Sequence, residues 1–203
     1  MKKAIITIGR EFGSGGRLIG KRLAEDLGIP FYDKEIIDLS AKKSGLSADF
    51  IASSDERAPS AFSLGISPTI GDTIGYFMQY DAPASDRAYL AQTAVINELA
   101  EKESCVIVGR GSGFILRDHP DRVSLLFHAP LDDRIRRAAE EYGLDEPGLA
   151  DKIIKVDKTR SNFIKRYTGE NWMDARSYDL CINTSKLGID GSVAAVKEYL
   201  AHR

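Results

Sequence analysis

At 203 residues, 43% of them hydrophobic, the chain is long enough for one α/β domain with a substantial core and short for two. A formal net charge of -2 argues against a protein whose main business is gripping nucleic acid, and points to a small anion as the partner of its unevenly placed arginines. No apolar run approaches the ~18 residues of a membrane span, and Met1-Lys2-Lys3 passes straight into an apolar run without a signal-peptide core, so a cytoplasmic protein is expected.

Residues 4–8 (AIITI) form a short β-branched run that reads as a buried parallel strand, followed at once by the glycine-rich stretch 9–17 (GREFGSGGR). Leu18, Ile19, Leu23 and Leu27 then recur at helical spacing until Gly28 and Pro30 stop the pattern. In a strand, glycine loop and helix of this kind, successive backbone N–H groups turn around an anion, and the helix N-terminus adds its positive dipole end. The phosphate-loop pattern GxxxxGK[ST] requires a lysine and then a hydroxyl. Gly16 stands at the lysine position, Arg17 follows one place later, and Ser14 is the nearest hydroxyl that would help to hold a metal. The other reading of these glycines is a tight turn with close packing.

Residues 29–32 (IPFY) read as a second strand ending at Asp33, and 34–43 as a helix through Ile36, Ile37 and Leu39. Asp33 either caps that helix or lies in the crevice at the carboxyl ends of the strands, where ligands of open α/β sheets bind. Residues 44–85, broken by serines and prolines, are expected to form a mobile insertion with one or two short helices whose Phe50, Phe62, Ile66, Ile70, Ile74, Tyr76 and Phe77 need burial.

Ser85 is a plausible N-cap for a helix over 86–102, and 105–108 (CVIV) is a strand ending in Gly109-Arg110-Gly111. A strand over 123–127, a helix over 130–142 carrying Arg134, Arg136 and Arg137, a helix reaching about Tyr167, a strand over 178–183 and a helix over 191–201 complete the chain. Such alternation predicts a parallel sheet covered on both faces. Cys105 and Cys181 fall inside strands and read as buried core thiols rather than a disulfide or metal pair, and His119, His128 and His202 show no ligand or triad spacing. Arg160 lies on the apolar stripe of Leu149, Ile153, Val156, Phe163 and Tyr167; either an anion or a salt bridge to Asp157 would justify a guanidinium there.

In order, the GSGG loop, FYD, VGRG, HAPLDDRIRR, VDKTRSNFIKRYTG and SYDLCINTSKLGID resemble the cytidylate kinase-like family of P-loop nucleotide kinases over most of the chain. The resemblance implies a single three-layer α/β/α domain with a five-stranded parallel sheet: core about 1–43, 86–130 and 177–203, an acceptor-binding insertion about 44–85, and a helical lid about 131–176. It implies that Gly13, Ser14, Gly15 and Gly16 cradle the ATP phosphates, with Ser185 and Lys186 beside the adenine. It also implies that Asp33 and Arg110 meet the acceptor phosphate, that Arg134, Arg137 and Arg160 close over ATP, and that Asp33 and Ser14 assist Mg²⁺, Asp33 through water.

Two departures from the family pattern are Gly16 for the loop lysine and Gly111 for an aspartate after the acceptor-binding arginine. Arg17 is expected to replace part of the lysine's charge. The expected activity is phosphoryl transfer from ATP to CMP or dCMP. A regulatory nucleotide-binding protein and a kinase of a non-nucleotide small molecule are the alternatives. No nucleic acid or membrane partner is expected, and a dimer remains open.

Overall fold

The computed structural model describes residues 2–56, 83–144 and 147–203. Strand β1 (Ile5–Arg10) is central in a five-stranded parallel sheet of order β2-β3-β1-β4-β5, formed with β2 (Phe31–Tyr32), β3 (Cys105–Val108), β4 (Arg122–His128) and β5 (Leu180–Asn183). Ile8 lies opposite Val108 on one side and Leu125 on the other, and Arg10 opposite Phe127. Ile5 to Ile8 are buried on both sheet faces, as the β-branched run requires.

The two faces follow from the period of two. Ile6 and Ile8 join Val106, Val108, Leu125 and Phe127 against Ile19 and Leu23 of α1 (Gly16–Leu27) and Val193 and Val196 of α8 (Thr184–Ala201). Ile5 and Ile107 join Ile36 of α2 (Glu35–Ser44) and Val95 and Ile96 of α4 (Ala84–Lys102) on the opposite face. A third, smaller cluster of Ala138, Leu149 and Ile153 joins α6 (Leu131–Tyr142) to α7 (Leu149–Thr168) and receives Phe12 from the glycine loop. Helix α3 (Ala48–Glu56) and the single turn α5 (Ser112–Ile115) complete the set. The chain leaves β1 toward β2 on one side and later adds β4 on the other, so the carboxyl ends of β1, β3 and β4 flank a topological switch point.

Several expectations are corrected. Helix α4 begins at Ala84 after Pro83, so Ser85 lies in its first turn rather than at its cap, and the Ser85 carbonyl accepts from the Tyr167 hydroxyl at 3.3 Å. Cys105 is buried, but Cys181 is exposed, because β5 is an edge strand and alternate residues of an edge strand face solvent. The last helix begins at Thr184, where the Asn183 side chain accepts from Ser185 N at 3.1 Å, and breaks at Gly188 (φ 68°, ψ -174°). The apolar residues singled out between Phe62 and Phe77 lie outside the described residues. Among the described residues no helix is long and apolar enough to cross a membrane.

Candidate active site

The glycine loop is held from both sides. As β1 ends, Glu11 N donates to Phe127 O at 3.0 Å and Ser14 N to Glu11 O at 3.2 Å, turning the chain through the left-handed Gly13 (φ 77°) and Gly15 (φ 83°) into α1. The cap position of α1, Gly15, carries no side chain, and the first N–H of the helix, that of Gly16, donates to Ser14 Oγ at 3.4 Å. Thr184, at the head of α8, donates its hydroxyl to Ser14 O at 2.7 Å, and Arg137 of α6 donates to Gly13 O at 2.7 Å. Ser14 itself is wholly buried, its hydroxyl 3.4 Å from Gly16 N.

Beside the loop, Arg17 Nε donates to Asp33 Oδ2 at 2.6 Å; Asp33 is buried while the Arg17 side chain is 52% exposed. Asp33 does not cap α2, whose cap position is Lys34 with no side-chain bond. Asp33 therefore stands at the end of β2, in the crevice, with its own N–H donating to Glu35 Oε2 at 2.9 Å. Among the described residues Arg110 is the one non-glycine with positive φ (59°), between Gly109 (φ 75°) and Gly111 (φ 68°). Three successive left-handed residues form a costly turn, and this one sets a guanidinium at the end of β3.

Sequence reasoning passed over Arg10. The residue ends β1, and its side chain runs past two glycines: a Cβ at Gly16 would lie 2.7 Å from Arg10 Cβ, and a Cβ at Gly109 would collide with Arg10 Nη1. A charged residue closing an otherwise apolar strand just before a glycine loop was the available signal. Burial pushes the Arg160 guanidinium down to about 9, with the Arg10 charge next and Asp157 opposing. Burial likewise lowers Arg110 to about 10, again with Arg10 next and Asp33 opposing. Arg10 is lowered too, by burial first, with Asp33 and Asp157 holding its charge. These cations repel one another across the crevice, and an anion between them would relieve the repulsion.

Helices α6 and α7 dock on the loop through arginines. Arg134 donates to Asp157 Oδ2 at 2.5 Å and to Phe12 O at 3.3 Å, and Phe12 N donates to Asp157 Oδ1 at 2.8 Å. Arg160 donates to Arg10 O at 3.1 Å and to Asp157 Oδ1 at 3.4 Å, with its guanidinium 5.7 Å from the Phe12 ring centroid. The salt bridge to Asp157 read as one alternative for Arg160 is thus present, and the same guanidinium belongs to the cationic cluster. At its far end α7 is tied to α4 by Arg166 and Asp86 at 2.9 Å and by Tyr167 stacked on Tyr89 at 4.0 Å. Of the expected residues, Arg17 is bonded to Asp33, Arg134 and Arg137 to the glycine loop and Arg160 to the end of β1, while Arg110 stands at the end of β3 within electrostatic reach of Arg10 and Asp33. Ser185 and the exposed Lys186 lie on the first turn of α8, next to the Thr184 that holds the loop.

Among the described residues no group of three or more His, Cys, Asp or Glu side chains forms a metal cage. Magnesium bound with a triphosphate needs only one or two protein oxygens, and the buried Asp33 carboxylate fits that modest requirement better than the enclosed Ser14 hydroxyl.

A sequence model of the cytidylate kinase-like family matches residues 5–186. A cytidylate kinase from Pyrococcus horikoshii is 27% identical over 202 residues, covering 98% of this chain and 90% of its own length. The crystal structure of an uncharacterized protein from Eubacterium ventriosum is 31% identical, with a TM-score of 0.73 and coverage of 99% of this chain and 100% of that one. Shikimate kinase from Acinetobacter baumannii, at 15% identity and a TM-score of 0.53 over 99% of this chain and 94% of its own, shares the fold.

Proposed function

The chain belongs to the cytidylate kinase-like family, and on that premise we propose that it is a cytoplasmic enzyme transferring the γ-phosphoryl group of ATP to a nucleoside monophosphate, with CMP or dCMP first among the acceptors. The observation that carries this reading is the convergence of three buried, mutually repelling guanidinium groups, Arg10, Arg110 and Arg160, at the carboxyl ends of β1 and β3 beside the glycine loop that opens α1. The glycine loop suits the ATP phosphates, and Arg110, held in its strained turn, suits the acceptor phosphate across the crevice.

In the transfer, the bond between the γ-phosphorus and its bridging oxygen breaks, leaving its electron pair on ADP, while an acceptor oxygen forms the new bond. A monophosphate is largely dianionic at neutral pH, so its attacking oxygen carries no proton and no general base is needed. This chain's residues then have two tasks: alignment, and positive charge around the equatorial oxygens. Arg134 and Arg137 tie α6 to the loop and would reorient toward phosphate when α6 and α7 move, which also excludes water. Asp33, held in place by Arg17, would meet Mg²⁺ through water, and the metal bound with ATP would add charge neutralisation.

The test is a coupled ADP-release assay with ATP, Mg²⁺ and a panel of nucleoside monophosphates against a no-acceptor control. CMP- or dCMP-dependent turnover supports the proposal, and silence across the panel rejects it. A second reading, a regulatory protein that binds nucleotide without efficient transfer, draws on the engagement of Arg134 and Arg137 with the protein's own groups and on Gly16 at the lysine position. It predicts ATP binding by calorimetry without turnover.

A further inference from the structure

Gly16 poses a chemical question, because a phosphate loop without its lysine lacks the cation that bridges the β- and γ-phosphates. Arg17, the neighbouring cation, is engaged by Asp33 and half exposed. Arg10 has a different setting. It is the last residue of β1, in register with Phe127, and its carbonyl is held by Arg160 Nη1 at 3.1 Å. The stem of its side chain crosses the face of Gly16: a Cβ there would lie 2.7 Å from Arg10 Cβ and 3.2 Å from Phe127 Cβ, closer than neighbouring side chains accept. Its guanidinium lies over Gly109, where an added Cβ would lie 3.0 Å from Cζ and 3.2 Å from Nη2, immediately before Arg110.

We propose that Arg10 supplies the phosphate-binding cation that the loop lysine supplies elsewhere, from a guanidinium seated over Gly109 beside Arg110. The proposal rests on the phosphoryl-transfer reading and deepens it. The cation then stands at the end of β1, at position 10, rather than at the head of α1, at position 16. Arg10 donates hydrogen bonds and neither gives up nor accepts a proton. Its planar fork can hold two phosphate oxygens at once, which a lysine cannot. Asp33 and Asp157 keep it charged without an anion.

The experiment compares the wild type with Arg10→Met and Arg10→Lys, each first shown to be folded by circular dichroism and thermal melting. Calorimetry with ATP and Mg²⁺ should give at least a roughly tenfold weaker Kd for Arg10→Met and a smaller loss for Arg10→Lys. With whichever monophosphate supports turnover, kcat of Arg10→Met should fall about a hundredfold or more, a larger change than in the acceptor KM, and Arg10→Lys should recover part of it. An Arg10→Met protein that binds ATP within about threefold of the wild type overturns the assignment. If the wild type binds ATP but transfers to no acceptor, the transfer reading fails while the Kd comparison still decides the role of Arg10. A wild type that does not bind ATP overturns both.

Discussion

Arg134 and Asp157 form an ion pair of 2.5 Å with side chains only 9% and 14% exposed, and this pair fastens α6 to α7. The same carboxylate accepts from Phe12 N at 2.8 Å through its other oxygen, so one aspartate joins α7, α6 and the glycine loop.

Removing that carboxylate leaves a buried guanidinium with only the more distant Glu11, 3.6 Å from its Nε, to balance its charge. Asp157→Asn should cost about 3–5 kcal/mol, lowering Tm by roughly 10 °C in a chain of this size. Asp133→Asn, which breaks an i,i+3 pair with the exposed Arg136, should leave Tm close to that of the wild type. Differential scanning calorimetry on both variants checks the contrast, and equal shifts would count against a structural role for the buried pair.

Restoring the lysine of the phosphate-loop pattern should not restore function. Gly16→Lys drives a Cβ against Arg10 and Phe127, so the variant should lose about 1–3 kcal/mol of stability and turn over more slowly than the wild type. Denaturant titration and the coupled assay read the two effects. A Gly16→Lys protein that is faster and equally stable would show that the space beside residue 16 is not taken.

Stability and function should separate at Arg110. Arg110→Gly relieves the left-handed backbone at φ 59° and should stabilise the fold by about 1 kcal/mol. The same change removes the cation proposed for the acceptor phosphate, so KM for the monophosphate should rise about ten- to a hundredfold. A melting curve and a KM determination on one preparation suffice, and an unchanged KM would remove Arg110 from the acceptor site.

The two thiols should behave differently. Burial pushes the Cys105 thiol up to about 12, with Glu103 adding to the effect, whereas Cys181 is exposed on β5. At pH 8 the native protein should therefore react with Ellman's reagent at Cys181 and only after unfolding at Cys105. Because the folded pKa of Cys105 is raised, its contribution to stability is complete below about 8.5 and is lost as pH climbs from there toward 12. Prompt labelling of two thiols in the native state would contradict the buried placement.

Local chemistry made much of the architecture legible in advance. The β-branched run before the glycines became β1, the 3.6-residue stripes became α1 and α7, and alternation of strands with helices became a parallel sheet, because period and composition act over neighbouring residues. The glycine loop and Arg110 were visible for the same reason: a glycine-flanked position at a strand end declares itself in the sequence.

What the sequence by itself determined, then, were most of the elements, the glycine loop between β1 and α1 and the set of arginines along the chain. The tertiary structure alone decided which groups meet. Phe12 reaches Asp157 across 145 positions, and Arg10 runs over Gly109 because β3 is laid beside β1. Strand order also exposed Cys181, by making β5 an edge. Such pairings depend on the sheet order, a long-range property that no local period encodes, and so the glycine at position 16 reads as a lost lysine in the sequence and as a close approach of α1 to Arg10 and Phe127 in the fold.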